Sequence, residues 1–324
     1  MPYKKKLAAL LCVNAGLALV LALTFVFEPE RLSSRSEAYS WLDPAQTDRI
    51  SGITITGPGD EDSQANVSLE RSGGRWFVSL NGKDYPARQA RVEDFIAALA
   101  KKAPYPVRSS SASSHERLLL TDDSSVTITV FAGSGPPLLR LLVGQPDITG
   151  QNIYLRRQGE NEVRSGEDIF SAYTKSARNS WYNLRLFPES EDGKLDAASV
   201  QRLTVYASES GDGPPMVFTR KGKEWSFSFE LADPDMGKVD GYIRDIINTA
   251  GDDFSEELKP SDPVFNDSRI VLDIGDGSIK TVRLGPPDEN GRRFAVVSGA
   301  DLVYSLPGWA GQRLFADSAY FEKD

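Results

Sequence analysis

The sequence predicts an α+β fold: an N-terminal transmembrane helix, then two tandem copies of a unit made of an antiparallel sheet and one helix. Three observations carry this reading. An uncharged apolar run lies near the start. Strand-like and helix-like periods then recur in the same order in both halves of the chain. Finally, a glycine turn and a tryptophan strand stand at matching places in each half.

The apolar run comes first. Lys4, Lys5 and Lys6 precede a stretch free of charge from Leu7 to Phe27, which Glu28 ends. At the helical rise it would span about 31 Å, close to the thickness of a hydrocarbon core. Lysines before the run and acids after it orient the N-terminus to the cytoplasm and the rest of the chain to the far side of the membrane. A cleaved signal peptide would have a shorter core and a small-x-small site. Here the run closes on Thr24-Phe25-Val26-Phe27-Glu28-Pro29, so retention as a single-pass anchor is expected. Leu10-Leu11 before Cys12 do not fit a lipoprotein site. The segments are 1–31 for the cytoplasmic lysines and anchor, then a juxtamembrane stretch at 32–48.

Next comes the repeat. The first unit is expected over 49–187, a polar linker over 188–198 and the second unit over 199–324. Ile50-Ser-Gly-Ile53-Thr-Ile55 is answered by Val200-Gln-Arg-Leu203-Thr-Val205. Leu69-Glu-Arg71 with Trp76 is answered by Phe218-Thr-Arg220 with Trp225, each pair flanking a Gly-bearing turn, as in a hairpin. Val92, Phe95, Ile96 and Leu99 fall on one helical face, and Val239, Tyr242, Ile243 and Ile246 repeat their intervals. Val126–Val130 is matched to Ile270–Ile274, Leu141–Gly144 to Val282–Gly285, Ile153–Leu155 to Phe294–Val296, and Arg185-Leu186-Phe187 to Arg313-Leu314-Phe315. Each unit thus reads strand–strand–helix–strand–strand–strand, then a short helix. Ser109–Ser114 reads as a polar loop.

Composition narrows the function classes. Cys12 is the only cysteine and falls inside the apolar run, which leaves the rest of the chain without a thiol nucleophile, thiolate metal site or disulfide. The net charge of −9 disfavours nucleic acid as a partner. His115 is the sole histidine, and no Gly-x-Ser-x-Gly elbow accompanies it, so it reads as a surface residue and not as part of a triad. Zinc would lack its usual ligands. Asp233-Pro-Asp235-Met-Gly237-Lys-Val-Asp240 alternates oxygens but lacks the third ligand and final glutamate of a calcium loop, and Asp235 or Asp240 reads better as a helix cap. Asp122-Asp123, Asp252-Asp253 and Glu256-Glu257 offer carboxylate pairs, but adjacency along the chain does not bring carboxyls to glycosidase spacing. Asp273–Gly277 and Asn81-Gly82 read as turns without a phosphate-binding fingerprint. No catalytic, cofactor or metal residues are expected, and no enzymatic activity.

Trp76 and Trp225, at matching strand positions, are expected in the core. Trp181, Tyr182 and Arg185 form the one cluster suited either to a partner, since aromatics with arginine dominate binding hot spots, or to packing between the repeats.

The anchor, the Gly-turn–Trp hairpin with its following helix, and the element from Trp181 to Arg185-Leu-Phe187 together resemble the bacterial domain-of-unknown-function family 4340. Genes of that family often neighbour those of gliding-motility-type ABC transporters. The resemblance implies an auxiliary or scaffolding subunit of such a transporter or of an envelope complex, with membrane-protein partners and no catalytic residues. The alternative is a module binding a small solute or a glycan in the cleft between the repeats.

Overall fold

The computed structural model of the chain describes residues 14–18, 38–58, 66–190, 193–207, 214–222, 224–275 and 277–323. Of the apolar run 7–27, only 14–18 are described, and they are helical. The expected anchor otherwise lies outside the described residues, among which no helix is long and apolar enough to cross a membrane.

The folded part is mostly antiparallel sheet with few helices. The first sheet is built from β1 (Gly52–Thr56), β2 (Val67–Ser72), β3 (Arg75–Leu80), β4 (Lys83–Pro86), β5 (Val107–Ser109), β6 (Val126–Phe131), β7 (Leu139–Pro146), β8 (Asn152–Arg157) and β9 (Val163–Glu167). Its order is β4-β3-β2-β1-β6-β7-β8-β9-β5. The second comprises β10 (Arg202–Tyr206), β11 (Met216–Lys221), β12 (Glu224–Phe227), β13 (Asp253–Ser255), β14 (Ser268–Asp273), β15 (Ile279–Leu284), β16 (Arg293–Val297) and β17 (Val303–Leu306). Its order is β12-β11-β10-β14-β15-β16-β17-β13, the first order strand for strand except for β4. The sequence periods miss β4, β5, β9, β13 and β17.

By contacts the chain forms two compact units, Met1–Gly82 with Gln89–Arg178, and Lys83–Arg88 with Asn179–Asp324. The stretch 188–198, expected as a linker, lies in the second unit and buries Leu195.

In the first unit, α1 (Gln89–Ala100) buries Val92, Phe95, Ile96 and Leu99, the face its sequence spacing predicts. The side chain of Gln89 clasps the backbone of β3: its Oε1 accepts from the Trp76 amide (2.8 Å) and its Nε2 donates to the Trp76 carbonyl (3.0 Å). Trp41 and Leu42 are buried at the entry to this unit. Trp41 meets Tyr39 and Tyr105 edge-on, with centroids 5.0 and 5.3 Å away, and its carbonyl accepts from Arg157. The serine-rich stretch is a loop over 110–113, joining the end of β5 at Ser109 to the helical turn Ser114–Arg117.

In the second unit, Asp235 caps α2 (Met236–Ile247) by accepting from the amides of Gly237 and Lys238. The helix buries Val239, Tyr242, Ile243, Ile246 and Ile247. Tyr242, Phe218 and Phe321 form an aromatic cluster with centroid distances of 5.1 to 5.8 Å. Here the fastening is through the indole, as Trp225 Nε1 donates to Asp240 Oδ1 (2.9 Å). Trp76 and Trp225 are both core residues.

Strand register corrects three of the matched pairs. Ile53 faces Val130 and Leu203 faces Leu272, so Ile128 corresponds to Ile270, a slip of two from the sequence match. A slip of two leaves the inward set inward, and alternation cannot detect it. On β8 and β16, Val143 faces Leu155 while Leu284 faces Ala295, so Leu155 corresponds to Ala295, a slip of one. Ala295, Val296 and Val297 are all buried, which leaves that strand no alternation to set its phase. The Arg-Leu-Phe triplets are not equivalent either. Tyr182 bridges Ala87 just before α1, and Glu322 bridges Pro234 just before α2, so Trp181 corresponds to Phe321, past the second triplet.

Candidate functional site

The segment singled out by its aromatic and arginine content lies in the second unit and is held by backbone bonds on two sides. It leaves a short 3-10 turn at Arg178–Trp181. Arg88 donates its amide to the Trp181 carbonyl (2.8 Å), and Asn183 donates to that of Pro86 (2.7 Å). On the other side Gly251 donates to Leu184 (2.8 Å) and Leu186 to Thr249 (3.0 Å). Chain approach is tight there, since a methyl on Gly251 would collide with the Ser305 carbonyl.

The cluster divides by burial. Trp181 has no exposed surface and Tyr182 is also buried. Tyr182 packs against Tyr85 and Phe254 at 5.2 and 5.1 Å, and Phe254 continues to Tyr304 at 5.0 Å. These two aromatics serve the core of the unit and offer no anchor for a partner to grip. Arg185 is half-buried, its Nη1 donating to Ser190 Oγ (3.0 Å) and Asn248 Oδ1 (2.7 Å). Burial also marks the tyrosines beneath. The hydroxyl of Tyr304 is pushed up to about 12, first by desolvation and then by the charge of Glu189, and Tyr85 is raised by desolvation, Glu256 and Asp253.

Above these rings lies a cavity of about 290 Å³ whose polar lining includes Arg88, Asn179, Asn183 and Arg185. Arg88 is exposed. Two arginines and two asparagines thus line one cavity on a protein of net charge −9, with Asn179 Nδ2 donating to the Asp252 carbonyl (3.3 Å) and Asn183 Oδ1 accepting from the Arg185 amide (3.2 Å). The chemistry suits an anion of carboxylate size, which guanidinium can bind in a bidentate fork. Arg88, Asn179 and Asn183 escaped sequence reasoning because backbone pairing alone brings 86–88 beside 181–183.

The other sequence candidates stand apart from it. His115, on the turn Ser114–Arg117, places Nε2 3.2 Å from the Asn161 carbonyl. In the calcium-like stretch Asp235 is the helix cap, Asp233 pairs with Lys323 (2.7 Å) and Asp240 holds the Trp225 indole, so its oxygens are already engaged. Asp252 is paired with Arg292 (2.8 Å), and Asp122 accepts from Gln158 (2.9 Å). Among the described residues no group of three His, Cys, Asp or Glu side chains is placed to hold a metal.

A model of the family described as "Domain of unknown function (DUF4340)" matches residues 76–262, more than half of the chain. No curated protein and no solved structure matches the chain.

Proposed function

We propose, from the premise that this chain belongs to the DUF4340 family, that it is a non-enzymatic membrane-tethered binding protein. Its second unit would accept an acidic group of a membrane-protein partner, a subunit of a gliding-type ABC transporter or related envelope complex. The carrying observation is the convergence of Arg88 and Arg185 on one cavity, with Arg185 already oriented by Ser190 and Asn248. A guanidinium fixed beforehand loses less freedom when a carboxylate arrives. The uncharged run from Leu7 to Phe27 behind three lysines supports a single-pass anchor with the bulk of the chain outside the cytoplasm. Tethering confines the protein to the plane of its partner and raises their effective concentration. The shared strand order of the two sheets supports descent from one duplicated unit.

The test is affinity capture of the full-length protein from native membranes in mild detergent. A transporter subunit is expected to co-purify with the wild type and to be lost with Arg88→Glu. Arg88 is exposed, so reversing its charge leaves the packing intact. Recovery of the same partner in the same yield from Arg88→Glu would remove the cavity from the reading, and recovery of no partner with the wild type would remove the reading itself.

A further inference from the structure

The sheet of the first unit has a second face, away from the residues buried with α1, and its rows follow from the register. One row across four strands is Ser79 on β3, Ser68 on β2, Thr54 on β1 and Thr129 on β6. The next, two residues along each strand, is Phe77, Glu70, Gly52 and Phe131. The rows lie about 7 Å apart, and the outer strands of the four about 14 Å apart. Glu70 is exposed, while Phe77 and Phe131 are half-buried and so show part of each ring. Gly52, without a side chain, leaves a trough beside the Phe131 ring, where a Cβ would sit 3.8 Å from its Cδ2. Of the hydroxyl row, the half-buried Ser79, Ser68 and Thr54 line a cavity of about 460 Å³ together with Thr56, Asn81 and Arg178, while Thr129 is buried.

We infer that this face of the first unit binds a neutral oligosaccharide. Sugar rings present C–H faces that pack on phenyl groups, and hydroxyls that both donate and accept. The face supplies matching partners in register: two rings, a carboxylate between them, and a line of serine and threonine hydroxyls alongside. An apolar peptide would leave the hydroxyl row unpaired. A nucleic acid or acidic glycan would meet Glu70 at the centre of the face on a protein of net charge −9. Four strands' width suits several linked sugars better than one. The second unit lacks the pattern. Its equivalents of Phe77, Glu70, Gly52 and Phe131 are Ser226, Thr219, Arg202 and Asp273, and Val217 and Val271 replace Ser68 and Thr129. This site depends on neither the anchor nor the transporter partner.

Calorimetric titration of the full-length protein in detergent with hexamers of N-acetylglucosamine and of glucose is the test. At least one hexamer is expected to bind with a sub-millimolar Kd. Phe131→Ala should weaken it at least tenfold and Glu70→Lys several-fold, while Thr219→Lys, the matching change in the second unit, should leave it unaltered. Glu70 is exposed, so its variant remains informative even if Phe131→Ala fails to fold. Absence of binding by both hexamers, wild-type affinity in Glu70→Lys, or preference for an acidic hexamer of glucuronate would each overturn the inference.

Discussion

Arg156 on β8 and Val296 on β16 hold the same place in the two sheets, yet one is a buried cation and the other an aliphatic core residue. In the first unit Leu118, Leu120, Leu142 and Val163 cluster on this part of the outer face. Arg156 joins that layer by donating to the Leu120 carbonyl (3.0 and 2.7 Å) and to that of Glu160 (3.0 Å). Burial pulls its pKa down, and the charge of Asp122 opposes that. In the second unit Phe265, Val296 and Val303 fill the equivalent layer with apolar side chains. The same strand order therefore tolerates two solutions to covering one face, a cation tied to backbone carbonyls or a plain apolar cluster. What is conserved between the units is the ladder and its inward set; the outer cover is free to differ.

The glycine within β7 and the one just after β15 separate the units most sharply. A methyl on Gly144 would collide with the Leu118 carbonyl, whereas on Gly285 it would stand 3.3 Å from the Val264 carbonyl. Gly144→Ala is expected to cost about 3 kcal/mol and Gly285→Ala about 1 kcal/mol, measured by urea denaturation. Equal costs would mean that the covering segments yield alike.

Arg156→Met comes next, at about 2 kcal/mol, because it strands the Leu120 carbonyl in an apolar layer. Val296→Met, a change within an apolar cluster, should cost under about 1.5 kcal/mol. A neutral Arg156→Met would show that the first unit could adopt the second unit's cover.

Fastening of the helices gives a smaller contrast. Gln89→Ala removes two bonds to Trp76 and should lower stability by about 1–2 kcal/mol, while Asp240→Ala removes one bond to Trp225 and should cost about 1 kcal/mol. Hydrogen exchange read on peptides from α1 and α2 assigns each loss to its unit.

The limits in pH should also fall on different units. Tyr304 in the second unit has a hydroxyl raised to about 12, and Tyr242, donating to the Leu314 carbonyl, is raised further by burial. A raised folded pKa means that their contribution is complete below the ordinary tyrosine value of about 10 and is lost as pH rises through 12. Asp147 in the first unit accepts from Asn152 and Thr149, which lower its carboxyl to about 2. Its contribution is present above about pH 4 and is lost as pH falls toward 2. Exchange should therefore accelerate first in the second unit on the alkaline side. Asp147→Asn should flatten the acid response of the 147–152 turn by a small amount, since the group is exposed.

The readable part of the site was small for a physical reason. Trp181, Tyr182 and Arg185 stood out by residue type, but type does not report burial, and two of the three belong to the core. The cavity around Arg185 needs Arg88 and Asn183, which lie 95 residues apart in the chain and meet through backbone bonds between 86–88 and 181–183. On the first sheet, the row of Phe77, Glu70, Gly52 and Phe131 is likewise scattered along the sequence until register aligns it.

By itself the sequence determined the local elements: the apolar run of Leu7–Phe27, the glycine turns before Trp76 and Trp225, and the inward faces of α1 and α2. These depend on residues close along the chain, through helical or strand period and turn chemistry. Tertiary structure decided the register of β6 against β14 and of β8 against β16, the pairing of the shortest strands, and which side chains share an open face. Those choices rest on hydrogen bonds between distant strands and on burial from both sides, and neither leaves a period in the sequence.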